Sequence, residues 1–233
     1  MSMGAGDEAG RRRWNSSVPL WALAAVMGMA VAGMLVSRAA GWPKSMTVTS
    51  TVVASTAFLA AALAAGAFRS RYGILVLGAL VCCWLGDIIG PGNFMWGLYA
   101  FLGGHLLFVL AFVSTKLHWR DSAYAVVALA VIDVLLMLWF LPNVPENERA
   151  NVVAYTVVIS SMVAAGWGAR HANPWILPAA VIFFISDIFV ARWRYGGGWI
   201  KGYLCYPLYY TACMLFAVSV RSALPGAGRR VER

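Results

Sequence analysis

"ILVLGALVCCWLGDII" runs from Ile74 to Ile89. The run is apolar enough to lie in a bilayer, yet it carries one carboxylate, Asp87. An aspartate at the centre of a membrane helix costs about 2.5–3.5 kcal/mol. A membrane helix that keeps one must turn it into the bundle, toward a cavity or another helix. "VIFFISDIFVARW" (Val181 to Trp193) poses the same problem with Asp187. In both, a small residue precedes the aspartate, and isoleucine and another apolar residue follow it. The two aspartates are spaced 100 positions apart.

The rest of the chain fits this setting. Of its 233 residues, 61% are hydrophobic and 12% charged, with a mean hydropathy of +0.74, whereas soluble domains are only about half apolar. About 20 apolar residues cross the hydrocarbon as a helix. Eight runs qualify: Val18–Val36, Met46–Phe68, Ile74–Ile89, Phe94–Thr115, Ser122–Leu141, Val152–Ala169, Pro174–Ala191 and Trp199–Val220. Pro and Gly punctuate the joints, as in "GPGN" at 90–93 and "YGGG" at 195–198. The expected fold is all-α: one polytopic bundle of eight transmembrane helices over residues 18–220, with basic cytoplasmic tails at 1–17 and 221–233. The first 17 residues are polar, so the first run is expected to be an uncleaved anchor.

Orientation follows from the 18 Lys and Arg. With the N-terminus inside, Arg11, Arg12, Arg13, Arg69, Arg71, Lys116, Arg120, Arg170, Arg221, Arg229, Arg230 and Arg233 are cytoplasmic. Arg38, Lys44, Arg149, Arg192, Arg194 and Lys201 lie on the other side. This two-to-one bias puts a multi-pass protein in the cell membrane with both termini cytoplasmic. Trp42, Trp96, Trp119, Trp175 and Trp199 fall at span ends, where interfacial belts form. Arg192, Arg194 and Lys201 crowd one outer loop against the trend, through chance or because they face an anionic head group. The net charge of +9 is scattered in short clusters between apolar runs, which is not the footprint of a nucleic-acid binder. Cys82, Cys83, Cys205 and Cys213 form no CxxC pair and no disulfide framework.

The two aspartate contexts suggest a repeat. Asp87 lies 13 residues after Ile74 and Asp187 lies 13 after Pro174. Four spans per half is an even number, which relates the halves as parallel repeats. The ionisable residues expected within the membrane are Asp87, His105, Asp133 and Asp187. Asp87 and Asp187 are expected about 5–10 Å below the outer boundary and His105 about 16 Å deep. Two carboxylates and an imidazole meeting in an outward-facing pocket make a general acid and a general base, one carboxyl protonated and the other ionised. His105 would orient one of them or share the proton. Asp133 has no repeated context and reads more readily as a packing residue. No metal-ligand spacing is present, so neither metal nor cofactor is expected.

"LGDIIGPGNFMWGLYAFLGGHLLFVLAFV" (85–113) and "FFISDIFVARW…YPLYYTACMLFAVS" (183–219) resemble the YhhN-like lysoplasmalogenase family, relatives of transmembrane protein 86. The shared features are a Gly-Asp motif, a Phe-rich run ending in His-Leu, a Ser-Asp motif and a final Tyr-Tyr. Lys44 resembles the lysine of the family's Lys-Pro pair, with Ser45 in the proline's place. Phe108 stands where a tyrosine is frequent, and Cys213 where a glutamine follows the Tyr-Tyr. The resemblance implies cleavage of the vinyl ether of a lysoplasmalogen to a fatty aldehyde and a glycerophospho-alcohol. Asp87, Asp187 and His105 would be catalytic. Lys44, Asn93, Asp133, Arg192, Tyr209 and Tyr210 would meet the lysophospholipid substrate, among membrane lipids. Protonating the β-carbon of a vinyl ether makes an oxocarbenium ion, which needs a positioned acid and a nearby negative charge.

Two other readings use the same residues. An intramembrane aspartyl protease requires Gly-x-Gly-Asp, but Trp84 occupies the first position ahead of Leu85, Gly86 and Asp87. A transporter or channel would use the aspartates as a proton or cation relay.

Overall fold

A computed structural model describes residues 19–196 and 203–223. The N-terminal tail (1–17), Trp199 and Lys201, and all but the first three residues of the C-terminal tail (221–233) lie outside the described residues. Within them the chain forms eight α-helices: α1 (Leu20–Ala39), α2 (Lys44–Ala64), α3 (Arg71–Ile89), α4 (Phe94–Val113), α5 (Trp119–Phe140), α6 (Glu146–Ala169), α7 (Ile176–Tyr195) and α8 (Cys205–Ser222). No strand occurs among the described residues. α1 to α7 are each long and apolar enough to cross a membrane. α8, with 18 residues and Tyr206, Tyr209 and Tyr210 near its start, is the exception.

Local chemistry sets the helix ends. Pro19, Pro43 and Pro145 immediately precede α1, α2 and α6, where the missing N–H costs nothing. Ser70 caps α3 by accepting from the Gly73 N–H, and Asn93 caps α4 by accepting from the Trp96 N–H. Gly66 leaves α2 at φ 90°, a left-handed turn that suits glycine. Several helices differ from their apolar runs: α1, α2, α3 and α5 exceed them by two or three residues at one end, α8 begins only at Cys205, and α6 and α7 have the longest extensions. α6 begins at Glu146, not Val152, and α7 continues past Ala191 to Tyr195. Both extensions are polar, and they hold each other: Arg194 Nη2 lies 3.4 Å from Glu148 Oε1, and the Tyr195 hydroxyl donates to Glu148 Oε2 at 2.8 Å.

The second half of the bundle repeats the packing of the first. α2 lies against α1, α3 and α8, and α6 lies against α5, α7 and α4. α3 packs on α4 as α7 packs on α8. The α3–α4 crossing is close because it is lined with glycine. A Cβ on Gly86 would stand 2.6 Å from the Phe101 ring, and one on Gly97 would stand 2.7 Å from the Gly90 Cα, so small residues let these two backbones approach. The centre is aromatic. Phe108 stacks on Phe216 with centroids 4.1 Å apart, and Phe112 and Phe183 close around them. The departures at Phe108 and Cys213 therefore fall in the buried core.

Candidate active site

A cavity of about 670 Å³ sits at the end of the bundle that carries the α1–α2 and α3–α4 connections, the end of α7 and the start of α8. It falls within the usual range for small-molecule sites, about 300–1,000 Å³. Its walls are mainly apolar, from Leu98, Phe101, Leu136, Phe140, Ile159 and Phe184 among others. Asp87 from α3 and Asp187 from α7 both line it. The longer α7 leaves Asp187 eight residues from its helix end and Asp87 two from its own, yet both reach the same space.

The surroundings of the two carboxylates differ. Ser55 of α2 donates to Asp87 Oδ2 in a very short hydrogen bond. The Tyr209 hydroxyl donates to the same oxygen at 3.0 Å and the Tyr210 hydroxyl at 3.3 Å. Three hydroxyls thus converge on one carboxylate oxygen. Asp187 Oδ2 accepts from Tyr155 of α6 at 2.7 Å and lies 3.6 Å from His105 Nε2. Among the described residues, no side chain donates to Oδ1 of either aspartate. Donors from α2 and α6 reach the aspartates of α3 and α7 with the same separation in sequence, 32 residues.

His105 is buried behind Asp187, wedged edge-on between Tyr155 at 5.2 Å and Phe183 at 4.7 Å. Neither of its ring nitrogens has a hydrogen-bond partner among the described residues. The 3.6 Å separation from Asp187 is longer than a hydrogen bond. Tyr209 ties the two halves together. Its hydroxyl is on Asp87, and its ring meets Phe183 edge-on at 5.3 Å.

Of the other residues expected to meet substrate, Lys44 and Tyr209 line the cavity. Tyr210 is fully buried behind Asp87. Asn93 is off the cavity wall, engaged as the α4 cap. Arg192 also lies off the wall, over the Trp139 ring at 5.4 Å, and donates to the Gly196 carbonyl. Asp133 accepts from Ser160 at 2.8 Å, tying α5 to α6 away from the cavity. Sequence reasoning passed over Ser55, Tyr155, Arg38 and Tyr206. The 100-residue spacing of the aspartates is matched by Ser55 and Tyr155, a signal present in the sequence but meaningless before the partners were known.

Fold and cavity define the class: a multi-pass helical membrane protein with an amphiphilic, carboxylate-bearing cavity near one end of the bundle. The chain belongs to the YhhN family, whose family model matches residues 46–220. It is 32% identical over 143 residues to the lysoplasmalogenase TMEM86B of Sus scrofa, covering 60% of this chain and 58% of that protein. It is 34% identical over 106 residues to a lysoplasmalogenase of Mycobacterium bovis, covering 44% of this chain and 41% of the relative. The human lysoplasmalogenase TMEM86B is 29% identical over 158 residues, 66% of this chain and 67% of the relative. The chain thus spans about three fifths or less of the length of the first two relatives. No solved structure matches it.

Proposed function

We propose that this protein is a membrane-embedded hydrolase that cleaves the vinyl ether bond of lysoplasmalogens by carboxylate acid–base catalysis. The observation that carries this reading is the pair Asp87 and Asp187 on the wall of one apolar, lipid-sized cavity. Relatives named as lysoplasmalogenases support the substrate class.

The unequal surroundings divide the roles. Three hydroxyl donors on Asp87 Oδ2 stabilise the anion there more than the single hydroxyl donor on Asp187 does. Asp187, with one hydroxyl donor and an imidazole behind it, is the acid. Asp187 gives its proton to the β-carbon of the vinyl ether, and the π electrons form the new C–H bond. The α-carbon and its oxygen become an oxocarbenium ion beside the Asp87 anion. Water adds to the α-carbon and loses a proton to Asp87. The hemiacetal then collapses: its hydroxyl proton returns to Asp187, the C–O bond to glycerol breaks, and Asp87 protonates the leaving oxygen. Aldehyde and glycerophospho-alcohol leave, one water is consumed, and both carboxyls are reset. Paired carboxylates divide labour in a similar way at glycosidic bonds. His105 backs Asp187 as a positioning residue.

In the membrane, α8 serves as the eighth crossing. It begins against the cavity and packs on α2, α3 and α7. With both basic tails in the cytoplasm, the cavity mouth faces outward. Reporter fusions after Ser17 and after Arg233 test this, and a C-terminal reporter on the outer side would remove it. The catalytic test is aldehyde release by purified protein in detergent. Matched alkenyl and acyl lysolipids should separate, with the alkenyl lipid cleaved and the ester spared. Equal cleavage of the ester would overturn the mechanism. Activity only in sealed vesicles would favour a transporter.

A further inference from the structure

Among the described residues, the cations at the cavity end of the bundle fall into two groups. Arg149 lies 3.7 Å from Glu146 and Arg194 lies 3.4 Å from Glu148. Arg192 is folded back on Gly196 and Trp139. Arg38 and Lys44 are different. Both line the cavity, and neither has a carboxylate partner among the described residues. They flank the short α1–α2 connection, Arg38 in the last turn of α1 and Lys44 at the first position of α2.

Arg38 is held in place. Its Nη2 donates to the Tyr206 hydroxyl at 3.0 Å, and its guanidinium carbon lies 4.6 Å from the Tyr206 ring centre and 6.0 Å from that of Trp193. A guanidinium has five N–H donors, and among the described residues a side chain engages only one group of them. A half-buried, immobilised fork beside a lysine ammonium has the donor set for a phosphate's oxygens. The cavity lining is therefore mixed: two cations and two aromatic rings from around the helix ends (Arg38, Lys44, Trp42, Trp193), two carboxylates, and apolar walls.

We infer that Arg38 and Lys44 form a phosphate site for the phosphodiester of a lysophospholipid, with Tyr206 as the positioning residue that braces the guanidinium. The phosphate anchors the glycerol at the rim, and the alkyl chain is held past Asp87 and Asp187 into the apolar part of the cavity. The inference rests on the lysolipid reading above for its ligand. It assigns the head-group anchor to Arg38, which that reading does not use, and leaves Arg192 out of it.

The test measures binding, so that it does not depend on turnover. The probes are a saturated alkyl-ether lysophospholipid, which has no vinyl bond to cleave, the matching alkylglycerol, which has no phosphate, and glycerophosphocholine, which has no chain. Affinities for the full-length protein in detergent come from calorimetry. Arg38→Gln and Lys44→Gln should each weaken the lysophospholipid by roughly tenfold or more and leave the alkylglycerol unchanged, since loss of a charge-assisted contact is felt only by the ligand that makes it. Alkylglycerol binding also reports that each variant is folded. Arg38→Lys keeps the charge without the fork and should fall between. Tyr206→Phe should lose part of the lysophospholipid affinity and none of the alkylglycerol affinity. Equal losses for both lipids, or none in either glutamine variant, would overturn the site. Glycerophosphocholine binding as tightly as the lysolipid would overturn the lipid assignment in favour of a general anion site. Phosphate-dependent binding by a wild type that releases no aldehyde would sink the hydrolase reading and leave this one standing.

Discussion

Asp87→Asn is the sharpest probe of the chemistry, because the surroundings of Asp87 let the charge be removed with little else. All three hydroxyls donate to Oδ2, and among the described residues no side chain donates to Oδ1. Asparagine can place its carbonyl oxygen where Oδ2 was and its amide where Oδ1 was. Ser55, Tyr209 and Tyr210 then keep their acceptor, and the aromatic packing of Tyr209 on Phe183 and Phe101 is untouched. What disappears is a full negative charge facing the developing cation. Two unit charges about 4 Å apart interact by about 4 kcal/mol at an effective dielectric of about 20. Each 1.36 kcal/mol on the barrier is tenfold in rate, so kcat should fall by roughly a thousandfold. The melting temperature should barely move. The assay is aldehyde release from an alkenyl lysolipid in detergent, with thermal unfolding measured alongside. A kcat within about tenfold of wild type at unchanged stability would refute the anion's role. A large loss of kcat together with a collapse in stability would mean that the three-hydroxyl cluster cannot accept asparagine.

The remaining expectations concern the neighbours. Asp187→Asn should cost about 10²–10⁴-fold in kcat, the usual contribution of positioned proton transfer, and the double asparagine variant should be little worse than the worse single one. Tyr209→Phe removes one of three donors to Asp87 while keeping the ring. A hydrogen bond to a charged group contributes about 1.5–3 kcal/mol, and two donors remain, so kcat/KM should fall by roughly tenfold; no change would show that the hydroxyl is idle. His105→Gln should lower kcat by less than Asp187→Asn and leave KM unchanged, because the imidazole lies behind Asp187 and off the cavity wall; a loss as large as that of Asp187→Asn would make the histidine a proton carrier. Ser160→Ala takes the donor from Asp133 on the α5–α6 seam. An interhelical hydrogen bond in a membrane contributes about 1 kcal/mol, so the melting temperature should drop by about 2–4 °C.

The chain's own residues determined the class of fold. A helix long enough to cross a bilayer is a local property: apolar length, a Pro or capping residue at the start and a Gly at the turn. All of these can be read one segment at a time, which is why the expected spans correspond to the helices. Boundaries slipped in both directions: α8 starts only at Cys205, while α7 continues to Tyr195 because Glu148 on another helix receives Arg194 and Tyr195. The aspartates were legible for a similar reason. A carboxylate in an apolar run is costly wherever it points, so Asp87 and Asp187 declare themselves without any partner in view.

What surrounds them was not legible, because hydroxyls and cations are cheap anywhere and gain meaning only from what they face. Ser55 is one small polar residue among several in α2 until α2 packs on α3 and brings it to Asp87. Tyr155 is an ordinary aromatic until α6 meets α7. Arg38 reads as a charge at a helix end until Tyr206, 168 residues later, takes its guanidinium. Conversely, Asn93, Arg192 and Asp133 carry chemistry suited to a site, but their partners are a helix cap, a tryptophan ring and a serine on the next helix. Helix formation depends on neighbours within a turn or two. The unequal surroundings of two similar carboxylates depend on which helices touch, and that was decided by the glycine-lined α3–α4 crossing and the matched packing of the two halves.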